Sequence, residues 1–465
     1  MSYCSLPNAF VSSLEGLPGF DRAAFEAVHA AGEQVTSIRV NPGKDAGGTM
    51  DPAGMLAGGA ATERVPWSSF GYYLSQRPFF TFDPFLHAGA YYVQEASSMF
   101  LEQAMRQTVD LSRPLRVLDL CAAPGGKSTL LQSLLTADSL LVSNEVIRNR
   151  ANILEENMIK WGGVNTVVTS SDPGEMGGLE GIFDCIVVDA PCSGSGLFRR
   201  EPEAVEEWSP DSVKLCYQRQ RRILADVWPA LKRGGVLIYS TCSYSREENE
   251  DVLDWILEEL GASGCRLNVA AEWNIIETNG RRGAYGYRFY PDKVRGEGLY
   301  MACVRKQDGA EFVASRKKGG VERLAKKDEI ALRGWVRPGS ELAYFQHGEV
   351  IHAIPEVVLP ELSVLQKGCY LRRAGIPLGK LSAAAFIPEH DLALSMIVSP
   401  QLPSLSVSKD QALQYLRKDD LVLEGAPRGW TLVQYGGLNL GWIKVLPGRV
   451  NNYYPKEWRI RRREP

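Results

Sequence analysis

Residues from which metal sites are built are scarce in this sequence. It has 5 histidines and 9 cysteines among 465 residues, and no two cysteines form a CxxC pair. Such pairs are the usual sign of a zinc site or an iron–sulfur cluster, so the sequence predicts no bound metal. Scattered cysteines in odd number are typical of reduced thiols, which favours a cytoplasmic location.

Long apolar runs and a strong charge of one sign are also absent. No uncharged stretch approaches the roughly 20 residues that a membrane helix needs. The opening residues MSYCSLPNAFVSSLEG lack the basic and apolar regions of a signal peptide. The formal net charge is −3. A nucleic-acid partner would therefore have to meet local basic patches rather than an overall positive field.

The central part, residues 106–306, alternates short apolar runs with helical patterns. The predicted strands are 115–120, 140–144, 166–169, 185–189 and 236–240, with edge strands near 275–276 and 299–304. The predicted helices are 127–135, 148–161, 211–231 and 247–260. Strands that alternate with helices favour an α/β fold with a parallel, doubly wound sheet.

The flanking regions differ from this core in composition. Residues 1–105 mix a helical pattern with strand-like runs, which predicts a small N-terminal α/β domain. Residues 307–327 are rich in lysine and arginine and predict a basic linker, either RNA-facing or simply solvated. Residues 328–399 and 400–465 carry short β-type runs between glycines and prolines, typical of a small intermediate domain and a second β-rich module.

The C-terminal tail NNYYPKEWRIRRREP interleaves aromatic rings with basic side chains. Its cations are Lys456, Arg459, Arg461, Arg462 and Arg463. Stacking rings beside phosphate-binding cations are typical of single-stranded RNA binding. The alternative is a frayed tail that only improves solubility.

A loop of small residues follows the first predicted strand of the core, in LRVLDLCAAPGGKSTLL. Asp119 ends the strand, and Gly125 and Gly126 let a ligand approach the backbone before Lys127 opens a helix. Exposed N–H groups at such a helix start can bind a carboxylate. The loop lacks the first glycine of the GxxxxGK[ST] phosphate loop, so a nucleotide phosphate is not indicated.

Acidic residues stand at the ends of the next strands. Glu145 has about the spacing from Asp119 at which an acid binds ribose hydroxyls in Rossmann-like sites. Asp172 could accept from an adenine amino group, and Asp189 ends the fourth strand. The pattern favours a nucleoside cofactor with an amino-acid-like part, although Asp also caps helices.

Two cysteines follow neighbouring strands, Cys192 in IVVDAPCSGSG and Cys242 in VLIYSTCSYSREENE. A thiolate is a strong nucleophile, and ligands bind at the carboxyl ends of strands in such sheets. The pair therefore indicates covalent chemistry with separate attack and release roles. The alternative is that both are small buried residues.

Three motifs together closely resemble the Nol–Nop–Sun family of RNA cytosine-5 methyltransferases: CAAPGGK (121–127), DAPCSGSG (189–196) and YSTCSYSREENE (239–250). The resemblance covers about 1–305 and implies a Rossmann-like core that binds S-adenosylmethionine, preceded by a small RRM-like domain. The long extension resembles that of the bacterial RsmF group, which modifies small-subunit ribosomal RNA and carries a PUA-like RNA-binding module.

The resemblance also implies roles for individual residues. Cys242 is the nucleophile and Cys192 assists release, while Asp189, if protonated, donates to the cytosine ring and Lys127 orients the acid or the base. The implied cofactor contacts are Cys121, Ala122, Ala123, Pro124, Gly125, Gly126, Lys127, Glu145, Asp172 and Asp189. Cys121 departs from the many relatives that have alanine there. The target base must be unpaired or flipped out.

Several alternatives stay open from the sequence. A DNA cytosine-5 methyltransferase would place its nucleophile in the pair Pro191-Cys192 and needs no cysteine at position 242. A uridine-5 methyltransferase often carries a cysteine cluster that this chain lacks. A tRNA enzyme of the same family and a non-catalytic RNA-binding assembly factor are further options. Arg199 and Arg200 are candidates for phosphate contact or for simple surface solubility.

Overall fold

A computed structural model describes residues 6–45, 54, 62–312, 321–339, 341–382, 385–421, 423 and 425–463. Their helices are α1 (Asn8–Leu14), α2 (Arg22–Ala31), α3 (Pro84–His87), α4 (Leu101–Thr108), α5 (Gly126–Leu134), α6 (Arg148–Trp161), α7 (Pro173–Gly177), α8 (Glu203–Glu207), α9 (Pro210–Val227), α10 (Glu250–Glu259), α11 (Lys326–Glu329), α12 (Leu359–Gly368), α13 (His390–Leu394) and α14 (Lys409–Arg417). No helix in these ranges has the length and apolar character to cross a membrane.

The strands are β1 (Thr36–Val40), β2 (Thr62–Arg64), β3 (Gly71–Leu74), β4 (Tyr91–Val93), β5 (Arg116–Asp119), β6 (Leu140–Asn144), β7 (Thr166–Thr169), β8 (Phe183–Asp189), β9 (Leu231–Thr241), β10 (Ala262–Cys265), β11 (Ile276–Asn279), β12 (Tyr285–Phe289), β13 (Leu299–Lys306), β14 (Leu342–His347), β15 (Val350–Pro355), β16 (Leu371–Ala374), β17 (Ile376–Leu381), β18 (Phe386–Pro388), β19 (Ser404–Ser406), β20 (Gly429–Tyr435), β21 (Leu438–Leu446) and β22 (Arg449–Asn452).

A ten-stranded sheet forms the centre of the molecule, in the order β11-β12-β13-β9-β8-β5-β6-β7-β16, with β10 on β13. Strands β5 to β9 are parallel to their neighbours within this group. Strand β13 runs antiparallel to β9. The predicted parallel α/β core is therefore confirmed, and it places the carboxyl ends of five strands at one edge.

Apolar side chains on both faces hold this sheet in the interior. In β8, Ile186 and Val188 pack into one hydrophobic cluster, and Cys185 and Val187 pack into the cluster on the other side. This alternation follows from the two-residue period of a strand. A parallel sheet covered by helices on both faces requires such continuous apolar strands. Each fully buried valine or isoleucine contributes about 1.5–3 kcal/mol.

Local signals fix several element boundaries. Strands β6 and β7 and helix α6 have the predicted bounds, and Gly162 ends α6 with φ +86°. Helix α9 ends four residues before the predicted position, because Trp228–Ala230 form a 3₁₀ turn that contains Pro229. A proline has no N–H with which to continue an α-helix. Helix α10 begins at Glu250 rather than at residue 247.

Lys306, directly before the basic stretch, and Arg323 within it each make specific contacts. Lys306 belongs to β13, where its ammonium donates to the carbonyls of Trp228 at 2.8 Å and Leu231 at 2.7 Å. Arg323 pairs with Glu356 at 2.7 Å. Residues 313–320, with three of the predicted cations, lie outside the described residues.

The C-terminal extension is joined to the central sheet. Strand β16 runs antiparallel to β7, so a segment from beyond the basic stretch forms the edge of the core sheet. The neighbouring strands form a second sheet in the order β14-β15-β17-β18. A third sheet, β19-β20-β21-β22, begins directly after Pro403. The amide N–H of Met396 donates to the carbonyl of Gly162 at 3.0 Å, which ties the extension to the end of α6.

The interpretation of the tail aromatics as free stacking rings is wrong for two of them. Tyr454 is 1% exposed, and its ring lies edge-on to His390 at 5.3 Å. Trp458 lies edge-on to the same histidine at 5.1 Å. These rings fill the core of the third sheet because the tail packs back onto α14. Arg461 and Arg462 remain exposed.

The N-terminal region forms a four-stranded sheet in the order β2-β3-β1-β4. Helix α2 is capped by Asp21, whose carboxylate accepts from the N–H of Ala24. Phe10 and Phe25 from the two helices contact Phe198 or Tyr244, which belong to loops after β8 and β9. The N-terminal helices therefore lie against the loops that carry the two candidate cysteines.

Candidate active site

Five strand ends converge at one edge of the central sheet. Asp119 is the last residue of β5 and Asp189 is the last residue of β8. Glu145 directly follows β6, and Cys242 directly follows β9. The parallel pairing of these strands brings residues from four separate parts of the chain to one cleft, as the sequence predicted.

The small-residue loop is shaped by glycine. Gly125 has φ +112° and is the N-cap of α5, a conformation that other residues rarely adopt. A Cβ atom on Gly126 would lie 3.3 Å from the ring of Tyr92. Helix α6 stabilises the loop, since the Asn157 side chain donates to the carbonyl of Pro124 at 2.8 Å.

Arg39 connects this loop to the N-terminal sheet. Its side chain is 1% exposed and donates to Thr129 Oγ1 at 2.6 Å and to the carbonyl of Gly126 at 3.2 Å. A third donation reaches Gln94 Oε1 at 2.7 Å. Burial lowers the pKa of Arg39 to about 9. Sequence reasoning missed this residue because one arginine within a strand carries no positional signal.

Two buried carboxylates each have one oxygen that makes no hydrogen bond among the described residues. Asp119 Oδ2 accepts from Ser128 Oγ at 2.7 Å, whereas its Oδ1 has no hydrogen-bond partner among the described residues. Glu145 Oε1 accepts from the N–H of Ile147 at 2.9 Å, and its buried Oε2 has no hydrogen bond but lies 3.5 Å from Arg150 Nη1. Burial raises the pKa of Asp119 to about 7. An ammonium and a ribose hydroxyl would satisfy these two oxygens.

Asp172 occupies a different setting. It is exposed and caps α7, with its Oδ1 accepting from the N–H of Gly174 at 3.0 Å. Glu175 completes the capping box by accepting from the N–H of Asp172 at 3.0 Å. The capping function that the sequence left open is present here.

The sulfur atoms of Cys192 and Cys242 lie 3.0 Å apart. Both residues are only partly buried. The hydrogen bond to Cys242 and burial raise the pKa of the Cys192 thiol well above its ordinary value. The loops after β8 and β9 approach each other closely, since a Cβ atom on Gly196 would lie 2.8 Å from the carbonyl oxygen of Cys242.

Lys127 and Asp189 form an ion pair beside the cysteines. Lys127 Nζ lies 2.7 Å from Asp189 Oδ2, and Ser240 Oγ donates to Asp189 Oδ1 at 2.8 Å. Burial opposes the charge on Lys127, but the neighbouring Asp189 outweighs it and raises the lysine pKa. One oxygen of Asp189 therefore contacts the lysine and the other contacts the serine.

The two arginines after β8 have different surroundings. Arg199 is nearly buried, with its guanidinium donating to the carbonyls of Gly296 and Glu33. It is therefore a structural residue and is not available for phosphate. Arg200 is exposed and remains a candidate for phosphate contact.

A buried carboxylate behind the two cysteine loops escaped sequence reasoning. Glu248 is 0% exposed and hydrogen-bonds to Ser193 and Ser243, the residues that follow the two cysteines. The acidic run REENE after Cys242 was the only available signal. Such a run is ordinarily read as the solvated start of a helix.

Comparisons with known proteins match this architecture. A family model described as 16S rRNA methyltransferase RsmB/F matches residues 107–305. The N-terminal domain of 16S rRNA methyltransferase RsmF matches 6–96, and the methyltransferase RsmF PUA domain matches 403–460.

Curated relatives match most of the chain. A ribosomal RNA small subunit methyltransferase F of Shewanella piezotolerans is 28% identical over 409 residues, covering 84% of both chains. Its namesake in Vibrio cholerae is 29% identical and covers 80% of this chain and 79% of the relative.

Two solved structures resemble the molecule. A methyltransferase homologue from Pyrococcus horikoshii is 29% identical, with TM-score 0.50, and covers 65% of this chain and 100% of its own. NSun6 from the same organism was solved with SFG, an analogue of S-adenosylmethionine. It is 20% identical, with TM-score 0.53, and the match covers 65% of this chain and 99% of NSun6. The second likeness supports the fold alone.

Proposed function

Since this chain belongs to the RsmB/F family of S-adenosylmethionine-dependent RNA methyltransferases, we propose that it methylates carbon 5 of a cytosine in 16S ribosomal RNA through a covalent bond to Cys242. The resemblance drawn from the three motifs is confirmed at the level of the family. The observation that carries the covalent proposal is the 3.0 Å separation of the Cys192 and Cys242 sulfurs beside the Lys127–Asp189 pair.

The first step needs a thiolate at Cys242. Carbon 5 of cytosine is a poor nucleophile until a thiolate adds to carbon 6 and makes carbon 5 enamine-like. A protonated Cys192 donates its S–H to the Cys242 sulfur, and a hydrogen bond to a charged form stabilises that form. The raised pKa of Cys192 keeps it as this donor. The arrangement therefore favours Cys242 as the attacking residue.

Electrons displaced by the new S–C6 bond collect on the ring near nitrogen 3. Lys127, held 2.7 Å from Asp189, is a cation that can face this charge. The Asp189 carboxylate can accept from the exocyclic amino group of cytosine, which selects that base over uracil. S-adenosylmethionine supplies the electrophilic methyl group when it is bound.

Release requires a base at the position of Cys192. After methylation the proton on carbon 5 must leave, the C5=C6 double bond must re-form, and the bond from carbon 6 to Cys242 must break. While Cys242 is bonded to the ring, its sulfur no longer raises the Cys192 pKa through the hydrogen bond or through its charge, so the Cys192 thiol loses its proton to solvent. The Cys192 thiolate then takes the carbon 5 proton.

The cofactor-binding assignment follows from the unsatisfied oxygens. Asp119 Oδ1 suits the ammonium of the methionine part, and Glu145 Oε2 suits the ribose. The backbone of residues 121–127, at the start of α5, suits the carboxylate. Asp172 is proposed for the adenine amino group. These residues fit the cofactor without a metal.

The RNA is held by the extension in this proposal. The matched PUA domain and the exposed Arg461 and Arg462 supply RNA contacts away from the cleft. Small-subunit ribosomal RNA is favoured over tRNA because the curated relatives are named for it. A cytoplasmic location stays a prediction.

A trapping experiment tests the covalent step. RNA that contains 5-fluorocytidine cannot lose the carbon 5 substituent as a proton, so the adduct accumulates. We expect a crosslinked band with the native protein and with Cys265→Ala, a cysteine on β10 outside the cleft, and none with Cys242→Ala. On ordinary RNA, Cys192→Ala should retain the adduct. An adduct that survives in Cys242→Ala and disappears in Cys192→Ala would give the nucleophile to Cys192, as in DNA enzymes.

A second measurement tests the substrate. Equal amounts of 16S ribosomal RNA, tRNA and single-stranded DNA are offered to the enzyme with labelled cofactor. Incorporation into the ribosomal RNA above both other nucleic acids supports the proposal. Preference for tRNA would instead support a tRNA cytosine-5 methyltransferase of the same family.

A further inference from the structure

Glu248 lies behind both cysteine loops and contacts each of them. Its carboxylate accepts from the N–H of Ser193 at 2.8 Å and from Ser193 Oγ at 2.5 Å. It also accepts from Ser243 Oγ at 2.6 Å. Ser193 directly follows Cys192, and Ser243 directly follows Cys242. One side chain therefore joins the two segments whose sulfur atoms must cooperate.

Neighbouring groups fix Glu248 in this position. Gln220, on α9, donates to Glu248 Oε1 at 3.2 Å and to the carbonyl of Pro191 at 3.1 Å. Tyr239 Oη donates to the backbone carbonyl of Glu248 at 2.6 Å. Asn249 donates to the carbonyl of Ser243 at 2.8 Å, which holds the second loop from the same segment.

Hydrophobic packing does not explain why the carboxyl group of Glu248 is buried at this position. Glu248 is 0% exposed, and within the described ranges no lysine or arginine forms an ion pair with it. A buried carboxylate without a cation destabilises a fold unless hydrogen bonds compensate. All of its hydrogen-bond donors come from the cysteine loops or from Gln220. The Glu248 side chain therefore joins the two cysteine loops to α9.

We infer that Glu248 is a positioning residue that sets the separation of the Cys192 and Cys242 sulfurs and so supports both attack and release. This inference rests on the proposed function, since it assigns the two chemical steps to these cysteines. Glu248 affects the substrate only through Ser193 and Ser243, to which it is hydrogen-bonded. Its loss should slow two successive steps at once, whereas loss of either cysteine stops one of them.

The test separates the steps in single-turnover experiments. Glu248→Ala removes all three loop contacts, and Glu248→Gln keeps an acceptor for the Ser193 N–H. Adduct formation is timed on RNA with 5-fluorocytidine, and release is timed on ordinary RNA. We expect Glu248→Ala to slow each step by about 100-fold, since small misplacements of reacting groups cost about that much. Glu248→Gln should recover about tenfold of the loss in each step.

Cofactor binding and stability supply the readouts that a merely structural role would change. The Kd for S-adenosylhomocysteine and the Tm of Glu248→Gln should stay near those of the native enzyme. The matched control is Asp254→Asn. This buried carboxylate on α10 accepts from the backbone of Arg281 and Arg282 and does not contact either cysteine loop. It should lower Tm without changing either rate.

Two milder variants keep the test decisive if Glu248→Ala does not fold. Ser193→Ala should slow release more than attack, and Ser243→Ala should slow attack more than release. Native rates for both steps in Glu248→Gln and in the two serine variants would overturn the inference. If Cys242→Ala still forms the adduct, the proposed function fails instead, whatever the Glu248 variants do.

Discussion

Cys192 and Cys242 stand 50 positions apart in the chain, and their sulfur atoms lie 3.0 Å apart at the ends of adjacent parallel strands. The contact makes the two thiols unequal, because a shared proton leaves one sulfur as donor and the other as acceptor. The hydrogen bond to Cys242 and burial raise the pKa of the Cys192 thiol, and the proposed mechanism assigns Cys192 as the donor.

The rate at which iodoacetamide alkylates Cys192 should show this difference between the two thiols. With its pKa raised, Cys192 holds its proton at pH 8 and should react slowly with iodoacetamide, because only the thiolate is nucleophilic. Cys242→Ala removes the largest cause of the shift and should speed alkylation of Cys192 several-fold. Peptide mass spectrometry measures both rates, with Cys265 as an internal reference. Unchanged alkylation of Cys192 in that variant would contradict the hydrogen bond.

Cofactor affinity should depend on pH through Asp119. Its pKa is raised by burial to about 7, so the carboxyl is mostly protonated at pH 6 and mostly ionised at pH 7.5. An ammonium pairs with the ionised form, so binding tightens as pH rises. We expect the Kd for S-adenosylhomocysteine to fall about eightfold over this interval, by calorimetry. Asp119→Asn should bind weakly with no such trend, and a trend that persists in it would assign the titration elsewhere.

Loss of the Lys127 charge should impair chemistry more than binding of RNA. Lys127→Met leaves Asp189 without its cation and removes the positive charge that is proposed to face the cytosine ring. The single-turnover methylation rate should fall about 10²–10⁴-fold, the range for a positioned acid–base group. Lys160→Met, which breaks a lysine ion pair with Glu156 on α6, is the matched control. Equal losses in the two variants would mean that only stability had changed.

Arg39 should couple the N-terminal domain to the cofactor loop. Arg39→Lys keeps the charge but cannot reproduce the planar donor set that reaches Gly126, Thr129 and Gln94. We expect it to lower the free energy of unfolding by about 2–4 kcal/mol and to weaken cofactor binding. Thermal denaturation and calorimetry check these effects. Arg64→Lys, an exposed arginine of the same domain, should do neither.

The exposed arginines of the tail should contribute to RNA affinity without affecting catalysis on bound RNA. Replacing Arg461 and Arg462 by alanine should weaken RNA binding. The slope of log K against log salt should also become smaller by about 0.7 for each lost contact to single-stranded phosphate. Filter binding at several salt concentrations measures the slope. If the slope does not change, these residues do not touch phosphate.

The sequence predicted elements whose signals are local. Helix α6 and strands β6 and β7 have the expected bounds, because apolar runs and the glycine after Trp161 specify them. The pairing of β16 with β7 was not predictable, since it joins segments about 200 positions apart through a short strand without a distinct pattern.

The candidate site shows the same difference between residues with local sequence signals and residues whose contacts form only on folding. Residues in compact motifs, such as Cys192, Cys242 and Lys127, stood out because nucleophiles and glycine-rich loops have characteristic neighbours. Arg39 and Glu248 did not, since their importance depends on what they contact after folding. Asp172 and Asp189 were given separate roles from the sequence, but their contacts within the protein could not be predicted. Their difference lies in a helix cap at one and an ion pair at the other.

The pairing of β16 with β7 gives the extension a geometric role. A module joined only by a flexible linker would sample many distances from the cleft, whereas this one is bonded into the same sheet as the catalytic strands. Contacts between Met396 and Gly162, and between Phe85 and Tyr435, hold it further. The span between the tail arginines and the cysteine pair is thus fixed by the fold. An RNA that binds the tail arginines can reach the cysteine pair only if it spans that distance.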